Sequence, residues 1–139
     1  MRQSWSCLIS AIALTFLGAC GSERAVTPLI GLEGEYALET VNGVTLPFLK
    51  GESGSERVEV ISGSLTLRPD RTYSGEIVER WTTGANTQFL PETSVGTFTV
   101  SGNKLTFTES GSGRVHHGTM DGDRLRATMN DVTFGFVAK

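Results

Sequence analysis

The stretch from Val95 to Glu109, VGTFTVSGNKLTFTE, decides the fold that we predict for this chain. Apolar and polar residues alternate through each half of it, which is the pattern of a β-strand with one buried face. The polar run SGNK, residues 101–104, separates the two halves and is typical of a turn. The stretch therefore predicts a β-hairpin whose apolar side chains share one face: Phe98, Val100, Leu105 and Phe107.

The same alternation continues on both sides of this hairpin, from Leu32 to the C terminus. Strand patterns recur at roughly ten-residue spacing with turn residues between them, which indicates an all-β sandwich or barrel. Because short turns join successive strands, we predict an antiparallel up-and-down β-barrel of about eight to nine strands. One long loop is predicted, Thr82 to Thr93, because it contains Gly84, Asn86 and Pro91.

Three further segments need a more local interpretation. The strand patterns RVEVI and SLTLR are separated by Ser62-Gly63, which predicts a hairpin turn. The polar segment Gly51 to Ser55 predicts a loop. Residues 123–134 contain no glycine or proline and also fit helical spacing, but the alternation of basic and apolar residues in RLRATM favours a strand.

The first twenty residues have the layout of an export signal. Arg2 provides a positive start, LISAIALTFL at residues 8–17 is apolar or small, and small residues then lead into Cys20. A membrane-spanning helix needs about 20 apolar residues, and this run is shorter. We therefore predict three parts: a removed signal peptide at residues 1–19, a tether at residues 20–31, and a barrel domain at residues 32–139.

The residues LGAC, 17–20, resemble the lipobox of bacterial lipoproteins. This resemblance implies that Cys20 receives a diacylglycerol on its sulfur, that the chain is cleaved before it, and that the new amine is acylated with a fatty acid such as palmitate. Several acyl chains meet the requirement for stable membrane anchoring. The alternative is ordinary cleavage that leaves a soluble secreted protein. Gly21 is not aspartate, which by resemblance to enterobacterial sorting favours the periplasmic side of the outer membrane.

Charge and cysteine usage exclude several classes of partner and chemistry. The chain has 12 Lys and Arg residues against 15 Asp and Glu residues, without a basic run, so we expect no nucleic-acid partner. Cys7 lies in the predicted signal peptide and Cys20 is predicted to carry lipid. The barrel domain therefore has no cysteine for a disulfide or a thiolate site.

Three stretches, GEYALETVNGVTLP, GSLTLRPDRTYSG and VGTFTVSGNKLTF, resemble the bacterial lipocalin-like domain families. The family pattern has an early Gly-x-aromatic-x-Leu, a central Asp-Gly-Thr-aromatic and a later Gly-x-aromatic. The matching positions here are Gly34, Tyr36, Leu38, Asp70, Thr72, Tyr73, Gly96 and Phe98. Arg71 stands where the family usually has glycine. The resemblance implies a small barrel in a family in which many members have no assigned activity.

No constellation of residues predicts catalysis or a metal. His116 and His117 are adjacent, and adjacent residues of a strand point to opposite faces, so they are poorly placed to chelate one ion. Glu76 and Glu79 are separated by an odd number of positions and are predicted to face opposite ways, which argues against a glycosidase pair. Residues 111–113 are a turn rather than a nucleophile elbow. We therefore expect no enzyme, no metal and no cofactor.

Aromatic residues are the candidate ligand contacts of the predicted barrel. The candidates are Tyr36, Tyr73, Trp81, Phe89, Phe98, Phe107, Phe134 and Phe136. Small barrels hold either packed side chains or one small ligand, and the size of these residues favours a filled interior. The first hypothesis is an envelope lipoprotein that binds a small apolar or lipid-like ligand. The alternative is a non-catalytic structural or protein-interaction module of the envelope.

Overall fold

The computed structural model describes residues 31–139, so the predictions for the signal peptide and Cys20 lie outside the described residues. Within this range no helix is long and apolar enough to cross a membrane. The described strands are β1 (Gly34–Val41), β2 (Val44–Thr45), β3 (Phe48–Ser53), β4 (Glu56–Leu67), β5 (Thr72–Thr83), β6 (Asn86–Ser101), β7 (Lys104–Glu109), β8 (Val115–Asp121), β9 (Arg124–Met129) and β10 (Val132–Ala138).

Eight of these strands close an antiparallel barrel. Each strand from β4 to β10 pairs with the next one in the chain, β10 pairs with β1, and β1 closes the ring by pairing Gly34–Ala37 with Ser64–Leu67 of β4. The predicted antiparallel barrel is therefore confirmed. The two additional strands lie beside this ring, because β2 pairs with the end of β1 and β3 pairs with the first half of β4.

One end of the barrel is filled by packed side chains. The hydroxyl of Tyr36 donates a hydrogen bond of 2.8 Å to the carbonyl oxygen of Leu32, which lies in the buried core at this end. The hairpin of β6 and β7 contributes Phe98 and Leu105, which are 2% and 1% exposed. Val100 packs against the same core and Phe107 is part of it. The predicted inward face of this hairpin is confirmed.

The strands β4, β5 and β6 are longer than the barrel requires. β1 pairs with β4 only up to Ser64, and β7 pairs with β6 only from Gly96 onward. Beyond these points β4, β5 and β6 continue together with β3 as a four-stranded sheet. We call this sheet the extension; it consists of residues 48–60 and 78–93.

The predicted long loop from Thr82 to Thr93 is wrong. Thr83 pairs with Asn86, and Gly84 adopts a φ of 60° in the short turn between them, so most of the segment belongs to two paired strands of the extension. Residues that usually interrupt strands here occupy a tight turn and a strand edge. The glycine and asparagine do mark a turn, but it is the short turn at the tip of a long hairpin rather than a long loop.

Pro91 is compatible with β6 because of the direction in which its nitrogen points. The carbonyl of Val95 accepts a hydrogen bond from the nitrogen of Ser110, so alternate residues of β6 turn their backbone groups toward the β7 side. Pro91 has the same parity as Val95 and lies before the pairing with β7 begins. Its missing N–H is therefore not needed for the pairing between β5 and β6.

Two other turn predictions are also corrected. Ser62-Gly63 is not a hairpin turn, because β4 runs through it with a bulge between Val60 and Ser62. A Cβ at Gly63 would lie 2.9 Å from the carbonyl oxygen of Glu76, so glycine is required by a close approach of the backbones. The predicted loop Gly51–Ser55 is largely strand, since β3 extends through Ser53.

Residues 123–134 form strands, as the alternation favoured. β9 occupies Arg124–Met129, and β10 begins at Val132. Asn130 and Asp131 have φ angles of 48° and 64° and form the turn between these strands. Both residue types tolerate this left-handed conformation better than most, so the reversal needs no glycine.

Candidate ligand cavity

An open cavity of about 320 Å³ occupies the end of the barrel opposite Leu32. This volume corresponds to about ten water molecules and lies at the small end of the range for ligand pockets. Its wall is mainly apolar. The apolar lining residues are Val41, Phe48, Val60, Leu65, Ile77, Phe107, Ala127, Met129, Val132, Phe134 and Phe136. The barrel is thus filled at one end and open at the other.

The candidate aromatic residues are divided among three places. The cavity is lined by Tyr73, Phe107, Phe134 and Phe136. The filled end contains Tyr36 and Phe98, which are buried and are not among the cavity-lining residues. The extension carries Trp81 and Phe89, which are 42% and 59% exposed. The eight aromatic residues that the sequence pattern grouped together therefore occupy three kinds of position: the cavity wall, the packed core and the surface of the extension.

The ring of Tyr73 is positioned by Gly96 on the neighbouring strand. A Cβ at Gly96 would lie 2.0 Å from the carbonyl oxygen of Thr108 and 2.8 Å from Cε1 of Tyr73. The tyrosine ring therefore lies directly against the backbone of β6. Its other side meets Phe107 edge-on, with ring centroids 5.2 Å apart. These contacts direct the hydroxyl toward Ser94, whose Oγ is 3.1 Å away.

Ser94 connects Tyr73 to a charged group at the cavity mouth. Its Oγ donates a long hydrogen bond of 3.4 Å to Oε1 of Glu109. The other carboxylate oxygen, Oε2, accepts hydrogen bonds from the hydroxyl of Ser112 and from Nε of Arg114. The hydrogen bond from Ser112 lowers the pKa of Glu109, with help from Arg114 and against the opposing effect of partial burial. Glu109 is consequently an ionised acceptor at neutral pH.

A second polar cluster lies across the mouth, where the extension leaves the barrel. Lys50 and the indole nitrogen of Trp81 both donate to the carboxylate of Glu79, the latter at 3.0 Å. Glu79 is only 8% exposed and lines the cavity with Lys50. Because both of its oxygens accept a hydrogen bond, this buried carboxylate is compensated. The cluster holds the indole of Trp81 beside the cavity mouth.

The outer face of the extension has its own ion-pair network. Glu59 is 4% exposed and accepts hydrogen bonds from Arg57 at 2.9 Å and from Arg80 at 2.6 Å. These hydrogen bonds, with that from Arg57 the largest cause, lower the pKa of Glu59. The hydrogen bond to Glu59 likewise raises the pKa of Arg57. Since neither Glu59 nor its arginines line the cavity, the network joins β4 to β5 and contributes no ligand contact.

The two histidines are separated as their positions in a strand require. His116 lines the cavity and pairs in register with Phe107, whereas His117 is exposed and pairs with Thr106. In the part of the chain from residue 31 onward, no group of three His, Cys, Asp or Glu side chains could hold a metal ion. The site can therefore bury an apolar ligand against its wall. At its mouth lies a polar rim that consists of Lys50, Glu79, Ser94 and Glu109.

The polar rim gave no signal in the sequence pattern. Ser94 and Glu109 are fifteen positions apart, and they meet because the register of β6 and β7 places Gly96 opposite Glu109. Lys50 reaches Glu79 because β3 pairs with β4 and β4 pairs with β5. The one available clue was the pair Tyr73 and Gly96, since a glycine within a strand often marks the close approach of another group.

Comparison with known proteins leaves the family of the chain open. No protein-family model matches the chain, and no curated protein is significantly similar to it in sequence. The crystal structure of the Cpx pathway activator NlpE from Escherichia coli is similar over part of the fold, with a TM-score of 0.39 and 26% sequence identity. The aligned region covers 60% of this chain and 40% of that protein, so the chain spans well under half of its length.

Proposed function

We propose that this protein is a lipid-anchored protein of the cell envelope whose barrel binds a small, largely apolar molecule. The observation that carries the binding function is the 320 Å³ cavity with its apolar wall and polar mouth. Burial of apolar surface contributes about 25 cal/mol per Å², so such a wall favours a hydrocarbon ligand over water. The proposal assigns the protein no catalytic step.

The cellular location in this proposal comes from the N-terminal sequence. Residues 1–19 have the layout of a signal peptide, and Cys20 ends a lipobox-like LGAC. The resemblance to the bacterial lipocalin-like domain families over residues 32–139 agrees with an envelope protein. In this proposal the lipid on Cys20 anchors the protein, with the periplasmic side of the outer membrane as its location, and residues 20–31 connect the anchor to the barrel.

Binding can be measured on a lipid-free chain that begins at residue 21. The buried hydrophobic side chains of the described region run from Leu32 to Phe136, so this chain retains them. Octan-1-ol is a suitable probe because it combines an apolar chain with one hydroxyl group and is small enough for a cavity of about 320 Å³. Saturable binding of octan-1-ol in isothermal titration calorimetry supports the proposal. Native mass spectrometry of protein purified gently from its host tests for a natural ligand, and absence of binding in both experiments would refute the carrier function.

A side chain at Gly75 is expected to block the cavity while preserving the barrel. Gly75 lines the cavity, and a Cβ there would make ordinary contacts of 3.5 Å with Leu65 and 3.6 Å with the carbonyl oxygen of Ser64. Gly75→Ile should weaken octan-1-ol binding by about fivefold or more, because steric overlap in a packed site costs about 1–3 kcal/mol.

The control for this variant is Thr99→Val, which exchanges a hydroxyl for a methyl group at an exposed position of the neighbouring strand β6, outside the cavity. It should bind octan-1-ol like the parent protein. Circular dichroism and urea unfolding check that both variants keep the fold. Unchanged affinity in a folded Gly75→Ile variant would place the ligand outside this cavity.

The alternative function is a protein-interaction module of the envelope. It is favoured by the extension, which exposes Trp81, Phe89 and Leu90 by 42%, 59% and 44%. A photo-crosslinking amino acid at Phe89 should then capture a discrete envelope protein in living cells, whereas the same amino acid at Thr99 should not. Identical background labelling at both positions would count against this alternative and leave the cavity as the remaining candidate site.

A further inference from the structure

We propose that the ligand of this cavity presents a hydrogen-bond donor, a hydroxyl or ammonium group, to the oxygen of Tyr73, and that carboxylates are discriminated against. The inference rests on the proposed binding function and specifies the chemical class of the ligand. It follows from the direction of the hydrogen bonds in the chain from Tyr73 through Ser94 to Glu109.

The direction of this chain is set by its charged end. An ionised carboxylate only accepts hydrogen bonds, so the single proton of the Ser94 hydroxyl is donated to Glu109. Ser94 can then interact with Tyr73 only as an acceptor, and Tyr73 donates its own proton to Ser94 across 3.1 Å. The Tyr73 oxygen therefore has no proton left for the cavity.

The same oxygen retains acceptor capacity toward the ligand. A phenolic oxygen can accept hydrogen bonds as well as donate one, and no donor among the described residues 31–139 forms such a bond with Tyr73. A ligand hydroxyl or ammonium group satisfies this acceptor. A ligand whose only polar atoms are acceptors forms no hydrogen bond with this oxygen and lacks that contribution to its affinity.

The charges around the cavity mouth also favour a hydrogen-bond donor over a carboxylate. The ionisable groups that line the cavity are Glu76, Glu79, Glu92 and Glu109, together with Lys50, Arg114 and His116. Lys50 is bound to Glu79 and Arg114 to Glu109, so both strong bases already have an anionic partner. A ligand carboxylate would lie near the negative charge of Glu109 and would receive no hydrogen bond from Tyr73. An ammonium group would instead donate a hydrogen bond to the Tyr73 oxygen and be attracted by Glu109.

Four probes of similar size separate these contributions. Octan-1-ol carries a donor, and heptyl methyl ether has the same number of non-hydrogen atoms but only an acceptor. Octylamine adds a positive charge and octanoate a negative one. With the lipid-free chain in isothermal titration calorimetry, octan-1-ol and octylamine should each bind about two- to tenfold more tightly than the ether, because each makes a hydrogen bond that the ether lacks, and octanoate should bind weakest.

Two variants test the role of Tyr73 and the direction of its proton. Tyr73→Phe removes the acceptor, so the affinity for octan-1-ol should fall to that for the ether. Ser94→Ala removes the group that receives the Tyr73 proton, so Tyr73 can donate to the ligand and the ether should bind more tightly than before. Tyr36→Phe is the matched control, because Tyr36 donates to Leu32 at the filled end and should leave the ratio of the two affinities unchanged.

The outcomes distinguish this inference from the function on which it rests. If none of the four probes binds and native mass spectrometry finds no natural ligand, the proposed binding function is wrong. If the ether or octanoate binds as tightly as octan-1-ol to the parent protein, the cavity binds ligands but the donor requirement is overturned. If Ser94→Ala folds normally and the ether does not gain affinity, the assigned proton direction is overturned.

Discussion

Gly96→Ala is expected to destabilise the barrel by about 3 kcal/mol or more, a large part of the stability of a small domain. The added Cβ would lie 2.0 Å from the carbonyl oxygen of Thr108, which belongs to the backbone of β7 and cannot move without disturbing the pairing of β6 with β7. It would also press on Cε1 of Tyr73 at 2.8 Å. Urea unfolding followed by circular dichroism measures the loss.

Gly51→Ala is the matched control for this prediction. Gly51 lies in β3, has no positive φ, and would have no atom within 4 Å of an added Cβ. Its replacement should leave the free energy of unfolding nearly unchanged or raise it by about 0.4–1 kcal/mol, because alanine restricts the unfolded chain. If both variants unfold at the same urea concentration, the close packing of β6, β7 and Tyr73 described here is incorrect.

Cys20→Ser is expected to abolish lipid attachment and to release the protein from the membrane. A serine hydroxyl cannot form the thioether that the lipobox resemblance implies, and without acyl chains the barrel has no anchor of the proposed kind. Metabolic labelling with a radioactive fatty acid and fractionation of membranes measure the two effects. Complete loss of label together with recovery in the soluble fraction is the expected result.

Cys7→Ser provides the matched control, because Cys7 is the other cysteine of the chain and lies within the predicted signal peptide. It should retain both fatty-acid label and membrane attachment. Persistent label in the Cys20→Ser protein would contradict the lipoprotein assignment. Loss of label with unchanged membrane attachment would show that another part of the protein holds it there.

Most strands of the barrel could be predicted because they carry their own alternation, whereas the bulge in β4 was mistaken for a turn. In β7 and β9 the buried residues Leu105, Phe107, Leu125 and Ala127 alternate with polar neighbours, and this period-two pattern needs no knowledge of the partner strand. The extension could not be predicted in this way. Gly84, Asn86 and Pro91 carry signals for an interruption, and these signals do not reveal whether the interrupted chain continues as a pair of strands.

The cavity is harder to predict from the sequence than the strands are. Phe98 and Phe136 occupy equivalent inward positions, yet Phe98 fills the closed end and Phe136 lines the cavity. The difference depends on height along the barrel axis, which is set by the register between strands. The small residues Gly75 and Ala127 leave room at one level, whereas at the other level large side chains meet across the interior.

The amino-acid sequence alone determined the all-β class, the antiparallel succession of strands and the inward set of apolar residues, because these properties are local and repeat every second residue. Closure between β1 and β4, the extension, and the meeting of Tyr73, Ser94 and Glu109 were decided only by the tertiary structure. Such contacts depend on which strands become neighbours and in which register. Period-two alternation describes the faces of a strand but does not specify its partner.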